Sequence, residues 1–246
     1  GGNRLLGTLG VERARIPLPE ALPGFIFGDV ADDERRQWQE LPEQTLDDEG
    51  RAEIDVPLEL SAARSPMRVQ TRLSLLESGG RPVVRTATAI VWPADTLIGV
   101  RPLFTNDVVQ EGTRATFEVA RVNRDGSAAP QDDAQVRLYR ESREYYWRFD
   151  DQGGWNSGYT EADELVDSRM LDLRERTTLD VPVNWGRYRL EITDSDTGQT
   201  LKYRFYAGWD AQDAEAMGNR PDRVQMRLEN APLNGRDPIR LALNPP

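Results

Sequence analysis

Residues 179–209 read LDVPVNWGRYRLEITDSDTGQTLKYRFYAGW, and this stretch decides the fold class. Leu179, Val181 and Val183 alternate with Asp180 and Pro182, and Leu201, Tyr203 and Phe205 alternate with Lys202 and Arg204. A period of two puts the apolar members of each run on one side of an extended chain, so both read as strands with one buried face. Between them, the run from Asp194 to Gly198 supplies the turn chemistry and the positive φ that a tight hairpin demands. Tyr188 stands near the start of the intervening run, where its hydroxyl is expected to bond upstream backbone as a tyrosine corner.

The same alternation recurs along the chain. It is present in residues 52–60 (AEIDVPLEL), in Met67, Val69, Leu73 and Leu75, and in Ala115, Phe117 and Val119. Each is expected to be a strand, residues 52–60 included. Gly79-Gly80 and Asp125-Gly126 add two further turn signals, and the sheets are expected to be antiparallel. Helical signals are weak: residues 32–39 and 210–217 are each read as a short turn or helix.

Residues 54–92 repeat the order of residues 179–209: strand, short link, strand, glycine-containing hairpin, strand, and a closing tryptophan, Trp92 or Trp209. Residues 100–122 and 224–243 then each give a strand, a glycine turn and a second alternating strand. The expected division is a first β-sandwich over 1–94, a second over 95–209, and a linker with the opening hairpin of a third domain over 210–246. Units of this size, with turns every ~8 to 12 residues, imply an all-β chain of tandem immunoglobulin or fibronectin-III-like antiparallel sandwiches.

Composition narrows the chemistry. The chain has 246 residues, enough for about two domains, with no Cys and no His. That excludes Cys nucleophiles, Cys/His metal sites, disulfides and every His-dependent triad. The formal net charge of −11 and a pI near 4.7 repel nucleic-acid phosphate and anionic lipid. Lys202 is the only lysine, and it sits inside an alternating strand, so no Ser-Lys dyad is expected either. No run approaches the ~20 apolar residues of a membrane span, so direct membrane insertion by this chain is not expected. The chain reads as a piece of a longer polypeptide, without catalytic residues, metal or cofactor of its own.

Asp32-Asp33-Glu34, Asp47-Asp48-Glu49 and Asp132-Asp133 have the residue types of a carboxylate pair or a hard-cation site, but each lies in a polar stretch and is expected to be a solvated loop. The run from Asp194 to Gly198 resembles the start of a calcium loop, yet Lys202 and Arg204 follow where a bidentate Glu is required, so it is expected to be a hairpin turn. The densest aromatic segment is Tyr145-Tyr146-Trp147-Arg148-Phe149, followed by Trp155 and Tyr159 beside glycines. Tyr145, Trp147 and Phe149 are expected to face a core. Tyr146, Trp155 and Tyr159 form the candidate protein-contact surface, with the last two read as a loop. An adhesion or carbohydrate-binding array using the region from Tyr145 to Tyr159 is the alternative.

The stretches Pro23-Gly24-Phe25-Ile26-Phe27-Gly28, Leu46-Asp47-Asp48-Glu49-Gly50-Arg51-Ala52 and Gly79-Gly80-Arg81-Pro82-Val83 resemble bacterial α2-macroglobulins, in the macroglobulin-like domains ahead of the bait-region domain. Tyr146-Trp147, Gly154-Trp155, Trp185-Gly186-Arg187-Tyr188-Arg189-Leu190, Arg204-Phe205 and Gly208-Trp209 are similar to the domain that follows, and Pro221-Asp222-Arg223-Val224 to the opening of the bait-bearing domain. The resemblance implies structural domains of a large periplasmic protein, often an inner-membrane lipoprotein, that traps proteases after cleavage of an exposed bait. It implies proteases as partners of the full-length protein, together with neighbouring domains of the same chain and envelope proteins. A Cys-Gln thioester, where the family has one, lies in a later helical domain, and no residue here carries that role.

Overall fold

In the computed structural model, the backbone is described for residues 3–55, 58, 60, 62–76, 81–150, 154–208, 225–228 and 241–244. Side chains are described for these residues except 143–150, 154–161 and the last two strands. The expected all-β, antiparallel architecture is what the chain adopts.

The first 93 residues build one four-stranded antiparallel sheet. Its strands are β1 (Arg4–Arg13), β3 (Gln37–Thr45), β4 (Met67–Leu76) and β5 (Val83–Val91), in the order β3-β1-β4-β5. A two-residue strand, β2 (Ile26–Phe27), and a 3₁₀ turn over Val30–Arg35 lie between β1 and β3. One face of the sheet buries Leu9, Val11, Leu41 and Met67 under Ala63, Ile54, Leu58 and Leu60.

The covering segment corrects the first strand assignment. Among the described residues of 52–60 there is no strand, because the backbone turns on itself: the Leu60 amide donates to the Leu58 carbonyl at 2.9 Å and the Ala63 amide to the Leu60 carbonyl at 2.9 Å. Ile54, Leu58 and Leu60 are partly buried as a cover, and no ladder is needed to shelter them. Residues 32–39 also divide differently from the expectation. Asp29 caps the 3₁₀ turn by accepting from the Ala31 amide at 2.9 Å, and the chain is extended again from Gln37.

Two facing sheets follow. Strands β6 (Thr96–Pro102), β8 (Thr113–Asn123) and β11 (Thr177–Val183) form one with β2, in the order β11-β8-β6-β2. Strands β7 (Val108–Val109), β9 (Gln131–Asp150), β10 (Gly154–Leu173), β12 (Gly186–Thr193) and β13 (Thr200–Ala207) form the other, in the order β10-β9-β12-β13-β7. Between these strands pairing is antiparallel except for the short β7–β13 contact, and Asp29 adds an isolated parallel bridge to Lys202. The alternating runs read from the sequence meet between these sheets: Ala115, Phe117 and Val119, Leu179, Val181 and Val183, and Leu201, Tyr203 and Phe205 are all buried in one cluster. The Phe117 ring stands edge-on to Tyr203 and Phe205 with centroids 5.8 and 5.5 Å away, and Tyr188 stacks on Phe205 at 5.5 Å.

The turn signals are correct where they are described. Across the β12–β13 hairpin the Asp194 amide bonds the Gln199 carbonyl at 2.9 Å, with Gly198 at φ 70°. At Gly126 (φ 86°) the chain turns back for a single bridge between Val122 and Ala128 before crossing to the opposite sheet. Gly79-Gly80 and residues 210–217 lie outside the described residues. Strands β14 (Gln225–Leu228) and β15 (Leu241–Asn244) pair antiparallel.

The internal repeat holds in part. The β4–β5 pair corresponds to the β12–β13 pair, but Leu179, Val181 and Val183 lie in the sheet opposite β12, and the 52–60 counterpart forms no sheet among the described residues. Burial differs too, since β13 is largely buried and β5 is exposed along nearly its whole length.

Candidate functional site

Among the described residues, parts distant in sequence grip one another at several places. The most developed grip is made by Pro23-Gly24-Phe25-Ile26-Phe27-Gly28. Although these residues fall within the first 93, Ile26 pairs with Val100 and Phe27 with Gly99, so β2 is the last strand of the second sandwich's sheet. Alternation sends the side chains to opposite sides. Ile26 enters the inter-sheet core, while Phe25 and Phe27 join Leu22, Leu97, Ala120 and Val122 in a separate buried cluster flanked by Trp92.

Gly99 makes room for Phe27: a Cβ at that position would lie 2.6 Å from the ring. Phe27 also meets Trp92 edge-on at 6.2 Å. Phe25, fully buried, has the guanidinium carbons of Arg101 and Arg176 at 5.7 and 5.9 Å from its ring centre. Both arginines also pair with Glu118, at 2.6 and 3.9 Å.

Past Phe27 the backbone closes on three elements at once. Gly28 has φ 81° and lies against Ser65, where a Cβ would come within 2.2 Å of Oγ. Ser65 Oγ accepts from the Asp29 amide at 2.8 Å and donates to the Asp29 carbonyl at 3.2 Å. The Lys202 amide donates to the Gly28 carbonyl at 3.0 Å, and Lys202 Nζ lies 3.0 Å from Asp29 Oδ2. Next to it, Asp107 accepts from the Tyr203 hydroxyl and from Arg15 at 3.0 Å. Burial, reinforced by the Asp107 carboxylate, pushes the Tyr203 phenol well above its usual range. Arg13 donates to the Phe27 carbonyl at 2.8 Å, and its burial lowers its affinity for the proton. The strap is therefore held by apolar insertion, backbone pairing and partly buried charge together.

A second feature is the β9–β10 hairpin. Each strand has 20 residues, but β12 pairs with β9 only between Gln135 and Glu141. Beyond Glu141 the two strands continue as a ribbon in which Tyr145 pairs with Tyr159, Tyr146 with Gly158, and Phe149 with Trp155. Trp155 and Tyr159 are thus strand residues, which corrects the loop reading. By strand alternation Tyr146 takes the opposite register face from both of them. The side chains of Tyr146, Trp155 and Tyr159, and the core reading of Tyr145, Trp147 and Phe149, lie outside the described residues.

The root of the ribbon is fixed by Arg189, which meets Glu141 at 2.6 Å, Asp163 at 2.6 Å and Glu191 at 2.8 Å and lies 5.0 Å from the Tyr139 ring centre. Burial works against that charge, but the hydrogen bonds to Asp163, Glu191 and Glu141 raise the Arg189 pKa above its ordinary value.

The acidic clusters do not converge. Asp47 caps a turn through the Arg51 amide, and Asp132 pairs with Arg174 at the surface. Asp32 departs from the solvated reading: it is buried, accepting from Arg35 at 2.7 Å and from the Arg64 amide at 2.9 Å. Asp194 is buried as well, with Arg121 at 2.6 Å and Gln131 at 2.9 Å. Among the described residues no group of three or more acidic side chains is arranged to hold a metal ion.

Residues 1–93 match the family described as Bacterial Alpha-2-macroglobulin MG5 domain, and residues 99–209 match Bacterial macroglobulin domain 6. The whole chain aligns with alpha-2-macroglobulin of Escherichia coli K12 at 36% identity and with that of Xylella fastidiosa 9a5c at 38%, spanning 16% and 15% of those proteins. The native conformation of the E. coli protein superposes over the full chain with a TM-score of 0.76 at 36% identity, covering 16% of that structure. Salmonella alpha-2-macroglobulin reacted with methylamine gives 0.73 at 34%, again over the full chain and 16% of that structure. With two macroglobulin-domain families matched in tandem and the likeness running from end to end, the chain belongs to the bacterial alpha-2-macroglobulin family.

Proposed function

We propose that this chain is a structural part of a bacterial alpha-2-macroglobulin-like protease trap, acting as frame and not as catalyst. The observation that carries the reading is the end-to-end likeness to a stretch that makes up 16% of the E. coli protein. Structures of that protein activated by porcine elastase and by trypsin give the reading its chemistry, because proteases act on the relative. The strap at Phe25, Ile26 and Phe27 supports the mechanical role: it couples the first sheet to the second sandwich by core insertion, so the two transmit displacement instead of swinging on a free linker.

In this reading, residues 1–94 and 95–209 are successive macroglobulin domains, and 210–246 leads into the bait-bearing domain. The full-length protein resides in the cell envelope, in the periplasm with an inner-membrane anchor, and meets proteases through its bait. Exposing the full-length protein to several proteases of unrelated specificity tests this. Cleavage confined to one accessible segment after Pro246, followed by a change in small-angle scattering, is the expected result. Scattered cleavage without any change of shape overturns the reading.

A further inference from the structure

The edges of the sheets are defended unequally. An unpaired strand edge presents a row of backbone donors and acceptors that recruits other strands, and soluble proteins block it with charge, proline, bulges or brevity. β3, at one edge of the first sheet, carries Pro42, Glu40 and Glu43, and its pairing with β1 slips in register between Leu5 and Gly7. β10 carries Asp163, Glu164 and Asp167 on its described part, β11 contains Asp180 and Pro182, and β2 and β7 have two residues each.

β5 is the least defended, with the single charge of Arg85, opposite Leu73, as its one such feature. Its nine residues read VVRTATAIV, with one charge and no proline, and its register with β4 is regular from Leu75↔Val83 to Met67↔Val91. Among the described residues it pairs with β4 alone, and eight of its nine residues are exposed, Val83 and Val91 at 39% each. The register assigns Ala87, Ala89 and Val91 to the face on which Val69 and Met67 pack, yet all three are exposed. A regular, β-branched edge with a single charge, beside small apolar residues, suits another strand and the side chains that come with it.

We propose that β5 is a docking edge, and that its occupant is a strand from another domain of the same full-length polypeptide, which extends this sheet and covers Ala87, Ala89 and Val91. The inference rests on the preceding reading of the chain as part of a longer trap. The chain spans only 16% of the E. coli relative, so a protein of that kind holds abundant further structure on the same backbone. Tethered parts meet at effective concentrations up to roughly millimolar, which a second copy at cellular dilution does not match.

Amide hydrogen exchange tests it, read on residues 83–91 in the full-length protein and in the 246-residue chain. Alternate amides of an unpaired edge point to solvent, so in the shorter chain half of β5 exchanges fast. In the full-length protein those amides slow at least tenfold, independently of protein concentration. Ala87→Lys leaves the melting of the 246-residue chain unchanged, because the site is exposed there, and restores fast exchange in the full-length protein. Equally fast exchange in both forms overturns the proposal. Protection that appears in the shorter chain and grows with its concentration overturns it in favour of a second copy. If β5 is protected but proteases neither cut one segment nor change the protein's shape, the docking edge stands and the trap reading fails.

Discussion

Lys202, the chain's only lysine, places Nζ 3.0 Å from Oδ2 of Asp29, and the backbones of the same two residues form a parallel bridge. The pair joins the strap to β13, which stands next to the short edge strand β7 in the second sandwich. Its carboxylate is nearly inaccessible, at 6%, while the ammonium is 30% exposed. Lys202→Met removes the partner and leaves a buried charge, which costs about 1–3 kcal/mol. The surface pair of Arg124 with Asp95, exposed at 57% and 94%, is the contrast: Arg124→Ala leaves melting unchanged. Thermal denaturation of both variants measures the difference, and equal effects would refute the idea that the Lys202–Asp29 pair acts as a clamp.

The strap's apolar half predicts a larger loss. Phe27 is completely buried, and its ring occupies the space above Gly99. Phe27→Ala is expected to cost about 3–5 kcal/mol, in the range of other buried aromatic truncations. Gly99→Val is expected to be comparably damaging from the other side, because its first added carbon already lies 2.6 Å from the ring. Chemical denaturation of the two single variants checks this, and a loss under 1 kcal/mol in both is the contrary result.

What could be read from the sequence follows from what a period of two encodes. Leu179, Val181 and Val183 alternate because one side meets a facing sheet and the other meets water, and the sequence records that contrast directly. Residues 52–60 carry the same contrast but satisfy it as a covering segment, since alternation reports which residues are buried and not whether the backbone finds a ladder. The strap was visible only as the resemblance-bearing Pro23–Gly28 hexapeptide. Ile26 and Phe27 are too few to give a period, and their partners Val100 and Gly99 lie more than seventy positions on. The burial of Asp32, expected as solvated, and of Asp194, expected only as part of a hairpin turn, is missed for a related reason. Asp is favoured in turns whether or not an arginine such as Arg121 arrives from a distant strand to bury it.

Asp194 sets a pH dependence. Burial alone would raise its pKa, but the Arg121 hydrogen bond, the Thr197 amide and Gln131 outweigh it and hold the carboxyl below its ordinary value. A carboxyl depressed in the folded state contributes stability that is complete above its unfolded pKa of about 3.9 and disappears as pH falls through the lower folded value. Acid titration followed by circular dichroism should therefore show wild-type stability declining below about pH 4. Asp194→Asn lowers stability at pH 7 and flattens that decline. A variant with an unaltered acid profile would show that the pair with Arg121 makes no net contribution.

The tyrosine corner gives the most local prediction. Tyr188 is 2% exposed and its hydroxyl accepts from the Asn184 amide at 3.0 Å, so one oxygen both satisfies a partly buried donor and fixes the β11–β12 connection. Tyr188→Phe keeps the ring that stacks on Phe205 at 5.5 Å and deletes only that acceptor. The cost is then that of one hydrogen bond with its donor left unpaired, about 1–2 kcal/mol, or roughly 2–8 °C in melting for a chain of this size. Tyr188→Ala removes the ring as well and is expected to cost about 3–5 kcal/mol. The ratio between the two variants separates the corner from the packing. If Phe is as stable as Tyr, the hydroxyl is replaced by solvent at no cost; if Phe is as damaging as Ala, the corner and not the stacked ring holds the second sandwich's edge.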